Sequence, residues 1–198
     1  MKLYVDEAGT APSPRRVRMY LAEKGLAVPV EKLVLHEQNR TPEFRRKNPI
    51  GTLPVLELDD GTCISESLAI CRYLEELHPD PPLFGTTPLE KAEVEMWTRR
   101  VEHYLYLPID FGAHFARSER STEAAVEFRS WASLSVRFLD RVLQGCAFIA
   151  ANRISMADIF AFGALDYGVR FAGFPLPEEL THLRSWYASM AARPSAGA

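Results

Sequence analysis

Two short segments carry residue types that could hold a small peptide. The first is Asn48-Pro49-Ile50-Gly51-Thr52-Leu53-Pro54-Val55-Leu56. A proline at the start of a strand has no N–H to give to the ladder. With Pro54 in cis, the N–H and C=O of Leu53 would be free to pair with an extended peptide as an added strand. With Pro54 in trans, the same residue would only bound an edge strand. The second segment is Ile64-Ser65-Glu66-Ser67-Leu68-Ala69-Ile70, where polar residues stand between a strand and a helix. The first N–H groups of a helix lack partners and lie at its positive end, so a carboxylate is a natural ligand there. Ser67 could add its hydroxyl and Glu66 could take an ammonium group. The same residues also suit simple helix capping. Taken together, the two segments fit a small peptide with a free amino-acid head.

The elements around these segments follow from local pattern. Leu3-Tyr4-Val5 reads as a strand, and Asp6 to Ser13 as a loop. Pro14 is expected to open a helix with Val17, Tyr20, Leu21 and Lys24 on one face, stopped by Gly25. Val28 to Leu35 reads as a second strand, and Thr41 to Lys47 as a short helix or turn. Leu53 to Leu58, a turn at Asp59-Asp60-Gly61 and Thr62-Cys63-Ile64 read as a hairpin. A helix follows from Ser67 to Leu77. Proline-rich residues 79–87 read as a linker between residues 1–78 and an all-helical region, 88–198. In that region four apolar stripes read as core faces: Val94, Trp97, Val101 and Leu105; Trp131, Ser135, Phe138 and Val142; Ile159, Phe162, Asp166 and Val169; and Leu180, Leu183, Trp186 or Tyr187, and Met190. Ser155 and Asp158 have the spacing of a capping box.

Composition narrows the functional classes. Of 198 residues, 47% are hydrophobic and 25% charged, which is globular usage rather than disorder. A net charge of −3 without a basic stripe argues against nucleic acid as a partner. No stretch has the length of a membrane span, and Asp6-Glu7 interrupts any N-terminal signal region, so a cytoplasmic location is expected. Cys63, Cys71 and Cys146 have neither zinc nor redox spacing and are expected to be reduced, mostly buried thiols. No metal site is expected, because His103 and His114 lack a third ligand at suitable spacing.

The chain resembles the cytosolic glutathione S-transferase superfamily over nearly its whole length. The signs are Arg15-Arg16-Val17-Arg18 with Ala22-Glu23-Lys24-Gly25, the Asn48 to Leu56 segment, Glu66-Ser67 with Ala69-Ile70-Cys71-Arg72-Tyr73-Leu74, and Ser155-Met156-Ala157-Asp158-Ile159. The resemblance implies an α/β thioredoxin-like N-terminal domain, an all-α C-terminal domain, glutathione as co-substrate and a homodimer. It also implies a cis Pro54, main-chain pairing of Leu53 with the cysteine of glutathione, and Glu66 and Ser67 around the γ-glutamyl head. The family usually has Asp where this chain has Asn152.

Transferases of this kind activate a thiol. A free thiol has a pKa near 8.5, and lowering it by about two units requires roughly 2.7 kcal/mol of preference for the anion. The serine-type members resembled here place a hydroxyl where this chain has Ala11, which cannot donate. Ser13 and Thr10 are the remaining hydroxyls of the loop, and main-chain N–H groups alone are the third possibility. Ser13 before Pro14 also reads as a helix cap. Tyr4 is a weaker candidate, expected to pack on the sheet. The family places its electrophile pocket between the domains, and Tyr104, Phe111 and His114 could line it; each could equally serve packing or a solvated face. The leading expectation is an enzyme that joins the glutathione sulfur to a small hydrophobic electrophile. A glutathione-fold module that binds a protein partner and a glutathione-dependent isomerase are the alternatives.

Overall fold

The computed structural model describes residues 1–118 and 121–198. They form two compact units, Met1–Pro81 with Gly197–Ala198, and Pro82–Ala196. In the first unit the order is β1 (Lys2–Asp6), α1 (Pro12–Lys24), β2 (Val30–Leu33), α2 (Pro42–Lys47), β3 (Val55–Glu57), β4 (Cys63–Ser65) and α3 (Ser67–Leu77). The strands make one mixed sheet in the order β2-β1-β3-β4, parallel between β1 and β2 and antiparallel elsewhere. This is a thioredoxin-like α/β unit.

Alternation along β1 sets its two faces. Leu3 lies opposite Leu56 and Tyr4 opposite Val55, all four buried. On one face Tyr4 and Val55 join Leu33, Phe44 and Leu53 in a cluster, with the Tyr4 ring edge-on to Phe44 at 5.7 Å. The Tyr4 hydroxyl hydrogen-bonds Glu57, so this tyrosine is a packing residue. Asp6 shares that side of the strand by the period of two.

Helix α1 starts two residues earlier than expected. Its N-cap is Ala11, and Pro12 is the first helical residue. The first turn needs no N–H bonds, so it accommodates both Pro12 and Pro14. Ser13 therefore lies inside that turn and is not the cap. The helix ends at Gly25, whose φ of 65° is costly for any side-chain-bearing residue. Strand β2 begins only at Val30, because Pro29 has no N–H for the ladder.

The regular elements described in the second unit are helices: α4 (Pro88–Val101), a π-helical turn (Glu102–Tyr106), α5 (Leu107–Ser118), α6 (Thr122–Val142), α7 (Met156–Phe171) and α8 (Thr181–Ala191). Helix α7 is buried along most of its length. Its capping box closes: the Asp158 carboxylate accepts from the Ser155 N–H at 3.0 Å and the Ser155 hydroxyl at 2.8 Å. The same carboxylate accepts from Ile149 N–H and Trp186 Nε1, tying the preceding loop and α8 to α7.

Three expected core stripes need correction. Along α4 and the following π-helical turn the buried face is Val94, Thr98, Val101 and Leu105, with Trp97 only half-buried. On α6 it is Ala125, Ala132, Val136 and Leu139, whereas Trp131 and Phe138 are 51% and 42% exposed. These aromatics form a second, outward apolar surface, in which Phe138 stacks on Trp97 at 5.7 Å. Small residues fill the inner face because α6 packs closely on α5. On α7 Val169 is exposed, and Asp166 is buried while accepting from Tyr187 and Arg170. The cysteines also differ from expectation: all three are free, but only Cys71 is buried, with Cys63 intermediate and Cys146 exposed. Among the described residues no helix is long and apolar enough to cross a membrane, and no cluster of three metal-ligating side chains occurs.

One buried ion pair locks α1 to α3. Lys24 Nζ lies 2.6 Å from Glu75, with both side chains nearly solvent-free. Glu75 also accepts from the Tyr20 hydroxyl at 2.7 Å. Lys24 donates to the carbonyls of His78 and Pro81 at 2.7 and 2.6 Å, which fixes the chain as it leaves α3. Removing one partner of a buried pair strands the other charge. Lys24→Met is therefore expected to lower the stability of the protein by about 3–5 kcal/mol in denaturant unfolding.

Candidate functional site

The candidate site lies at the end of the sheet where β1 finishes. The Leu53-Pro54 bond is cis. Strand pairing of β3 stops at Val55, and neither main-chain polar group of Leu53 makes a hydrogen bond among the described residues. The Leu53 side chain is buried in the Tyr4 cluster, so its main chain forms a fixed rim. The preceding segment is pinned as well. Asn48 Nδ2 donates to the Thr52 carbonyl at 2.9 Å, and the buried Asn39 donates to the Gly51 carbonyl at 2.6 Å. Gly51 has a φ of 73°, and a Cβ there would sit 2.8 Å from the Asn39 carbonyl oxygen, so only glycine fits.

Antiparallel pairing of Val55 with Ser65 brings Glu66 and Ser67 to the same end of the sheet as Pro54 and Leu53. Glu66 is exposed and adopts φ 69°, ψ 116°, a conformation that side-chain-bearing residues rarely take. Ser67 is the first residue of α3 and is 5% exposed. The first intrahelical bond of α3 is Ile70 N–H to the Glu66 carbonyl, so the earlier N–H groups form an open helix mouth. Arg16 Nη1 donates to Ser67 Oγ at 2.6 Å. A buried guanidinium thus stands behind that mouth and adds to its positive potential. This link joins residues 51 positions apart, and no local pattern signals it.

On the other side of Leu53 lies a cavity of about 390 Å³ whose lining includes Leu53, Ile50, His36, Arg40 and Arg45. Arg40 Nη2 is 3.1 Å from His36 Nδ1. Two guanidinium groups at one cavity can hold a carboxylate. Sequence reading took this arginine-rich stretch only as a helix or turn. The available signal was the recurrence of Arg40 and Arg45 just before the Leu53 segment.

The loop between β1 and α1 carries the hydroxyl candidates. Thr10 is exposed, and its N–H donates to Asp6 Oδ2 at 2.8 Å. Ser13 is half-buried in the first turn of α1, and neither its N–H nor its hydroxyl is hydrogen-bonded among the described residues. Ser13 therefore offers two donors at the positive end of a 13-residue helix.

The three pocket candidates have different immediate surroundings. Tyr104 is 63% exposed and lines a groove of about 590 Å³ between α4 and α6, with Trp97, Arg100, Trp131, Leu134 and Phe138. Phe111 packs on Phe128 at 5.4 Å, and the His114 ring lies edge-on to Phe115 at 5.7 Å. One turn before His114 is Asp110, whose pKa burial raises despite a hydrogen bond from Tyr167. His114 thus stands between the Asp110 carboxyl and the Phe115 ring.

Comparison with known proteins agrees with this geometry. Residues 10–77 match the glutathione S-transferase N-terminal domain, and residues 103–194 match the glutathione S-transferase C-terminal domain. The chain is 35% identical over 205 residues to glutathione S-transferase 2 of Saccharomyces cerevisiae, covering 98% of this chain and 88% of that protein. It resembles the crystal structure of a glutathione S-transferase domain-containing protein of Marinobacter aquaeolei VT8, with TM-score 0.90, 36% identity and coverage of 98% and 99%. It also resembles a glutathione S-transferase of Methylobacillus flagellatus KT with GSH bound, with TM-score 0.86, 25% identity and coverage of 98% and 96%. With both halves matched in order and the yeast relative spanning nearly the full length, the chain belongs to the glutathione S-transferase family.

Proposed function

We propose that the chain binds glutathione along the end of its sheet and transfers the glutathione sulfur to a small hydrophobic electrophile. The observation that carries this reading is the unpaired Leu53 rim, flanked on one side by the α3 mouth and on the other by the Arg40–Arg45 cavity. Each feature answers one part of the tripeptide. The α-carboxylate of the γ-glutamyl head takes the first N–H groups of α3, with the Arg16 charge behind them, and Glu66 takes its ammonium. The cysteinyl main chain pairs with Leu53 as one more strand. The glycyl carboxylate reaches Arg40 and Arg45. Two anchored ends fix the thiol in one place, which converts the encounter with an electrophile into an oriented reaction.

The thiol then faces the start of α1. Ser13 stabilises the thiolate with its hydroxyl and its N–H, and the helix end adds partial positive charge. The proton leaves to solvent. The sulfur lone pair forms the new S–C bond, and a leaving group departs with its bonding electrons or a double bond accepts them. Thr10 is the weaker donor, because it is exposed and only its hydroxyl remains unpaired. The working location is the cytoplasm. The working form is a homodimer, in which a second copy covers the exposed Trp131, Leu134 and Phe138 surface.

The direct test mixes the protein with glutathione and an activated halo-nitroarene; a rate no higher than the free thiol's at any protein concentration rejects the reading. Ser13→Ala is expected to raise the pKa of bound glutathione by about one unit and to lower turnover roughly tenfold near neutral pH. Steady-state rates across pH and thiolate absorbance read both effects. Arg40→Ala with Arg45→Ala should raise the KM for glutathione at least about tenfold and leave kcat within a factor of about two, since this contact is uniform between ground and transition states. Glu66→Gly separates stability from function. It should keep or raise stability by about 1 kcal/mol through relief of the backbone strain, while weakening glutathione binding in calorimetry.

A further inference from the structure

The cavity beyond Leu53 carries more positive charge than one glycyl carboxylate can use. Arg40 and Arg45 both line it, together with His36 and Asn39, and no acidic side chain does so among the described residues. Glu37 and Glu43 are the nearest acids in the sequence. Neither belongs to this lining, and Glu43 instead lines a separate cavity with Arg46 and Lys47. Arg40 Nη2 donates to His36 Nδ1 at 3.1 Å, and neither guanidinium has a carboxylate partner among the described residues.

The walls of this cavity are fixed from behind. Asn39 is 3% exposed and uses both ends of its amide. Its Oδ1 accepts from His36 N–H at 2.6 Å, and its Nδ2 donates to the Gly51 carbonyl at 2.6 Å. One buried side chain thus clamps the turn that carries His36 and Arg40 to the segment that leads into Leu53. Arg45 packs along the same segment, since a Cβ on Gly51 would lie 3.7 Å from its Nε. A carboxylate brings one negative charge and about four lone-pair sites, whereas each guanidinium brings one positive charge and five N–H donors. The glycyl carboxylate of a bound glutathione therefore offsets one of the two charges. The other is left at a cavity of about 390 Å³, a size that takes ligands larger than one glycyl group. Uncompensated positive charge at such a wall favours a second anion.

We propose that this cavity is a subsite for two carboxylates, so that the chain favours γ-glutamyl-cysteinyl peptides with an acidic third residue over glutathione itself. The inference deepens the proposed function and rests on it: the cysteinyl main chain pairs with Leu53, and the third residue continues into the cavity. An acidic third residue brings its α-carboxylate and its side-chain carboxylate, one for each guanidinium. The Asn39 clamp holds the walls in place before the peptide arrives, which lowers the ordering cost of binding.

Three peptides test this on the unaltered protein. They are glutathione, the same peptide with glutamate as its third residue, and the same peptide with glutamine there, which matches glutamate in size and lacks its charge. Calorimetry at low and at high salt reads each affinity. At low salt the glutamate peptide should bind about fivefold more tightly than either of the others, and high salt should shrink that advantage. Arg40→Ala and Arg45→Ala should each reduce it to less than about twofold. In turnover with a halo-nitroarene, KM should follow the affinities while kcat stays within a factor of about two across the peptides, because the cavity is remote from the sulfur. A glutamate peptide that binds no more tightly than the glutamine peptide, or whose advantage survives both arginine substitutions, overturns the proposal and leaves the glutathione reading standing. Failure of all three peptides to bind overturns both.

Discussion

A buried main-chain N–H or C=O without a partner costs roughly 1–3 kcal/mol, so a folded chain leaves few of them and leaves them where something else can bind. At one end of this sheet the account is uneven. The ladder stops at Val55, and Leu53 keeps both main-chain groups unpaired. Helix α3 opens beside it with the first turn's donors still available, and α1 opens with one donor at Ser13. These groups stand on side chains packed into the core, so they cannot collapse onto one another. In the proposed function an extended ligand with its own main chain and two charged ends satisfies them, and the rest of the first unit supports keeping them apart.

That support is polar as often as it is apolar. Arg16 reaches from α1 to Ser67 at the start of α3, and Lys24 with Glu75 joins the far ends of the same two helices. Each contact crosses more than fifty residues of sequence, and each is nearly solvent-free. Apolar packing alone would tolerate a sliding of α1 against α3, because it has no preferred direction. A guanidinium on a hydroxyl at one end and an ammonium on a carboxylate at the other fix the register. Asp158 does similar work in the second unit, where one carboxylate gathers four donors from the preceding loop, the start of α7 and α8. These groups spend stability on geometry, since paired buried charges seldom outdo apolar residues of equal volume.

The sequence showed best what short-range chemistry decides. Gly25 and Gly61 stop a helix and turn a hairpin because few other residues accept their φ. Ser155 and Asp158 announce a helix start by spacing alone, and Glu66-Ser67 sits at the strand-to-helix junction where polar residues suggested it. Long-range partnerships left no such mark. Nothing in the order of residues says that Arg16 meets Ser67, and the run that holds Arg40 and Arg45 precedes Leu53 without saying that they share a cavity with it. The hydrogen bonds of Asp6 were hidden for another reason: a side-chain acceptor for amides four and five residues on has no period. Ser13 reads as a cap in the sequence but lies in the first turn of α1, because Ser before Pro fits both places equally well.

Helix α6 shows where periodicity misleads. Trp131, Ser135 and Phe138 repeat at helical spacing, and the two aromatic rings are larger apolar groups than the alanines that actually face inward. A hydrophobic stripe reports which side of a helix avoids water, not whether the cover comes from the same chain. Here the inner face is chosen by size: Ala125 and Ala132 let α6 approach its neighbour, and larger rings there would hold the helices apart. Phe138 stacks on Trp97, with the Arg100 guanidinium 4.7 Å from that ring, and Trp131 is edge-on to Phe128, so the displaced aromatics build a surface with its own order. A side chain that is both costly to expose and already arranged with its neighbours is more than leftover hydrophobicity. It is the face that the proposed homodimer would bury, on the flank of α4 and α6.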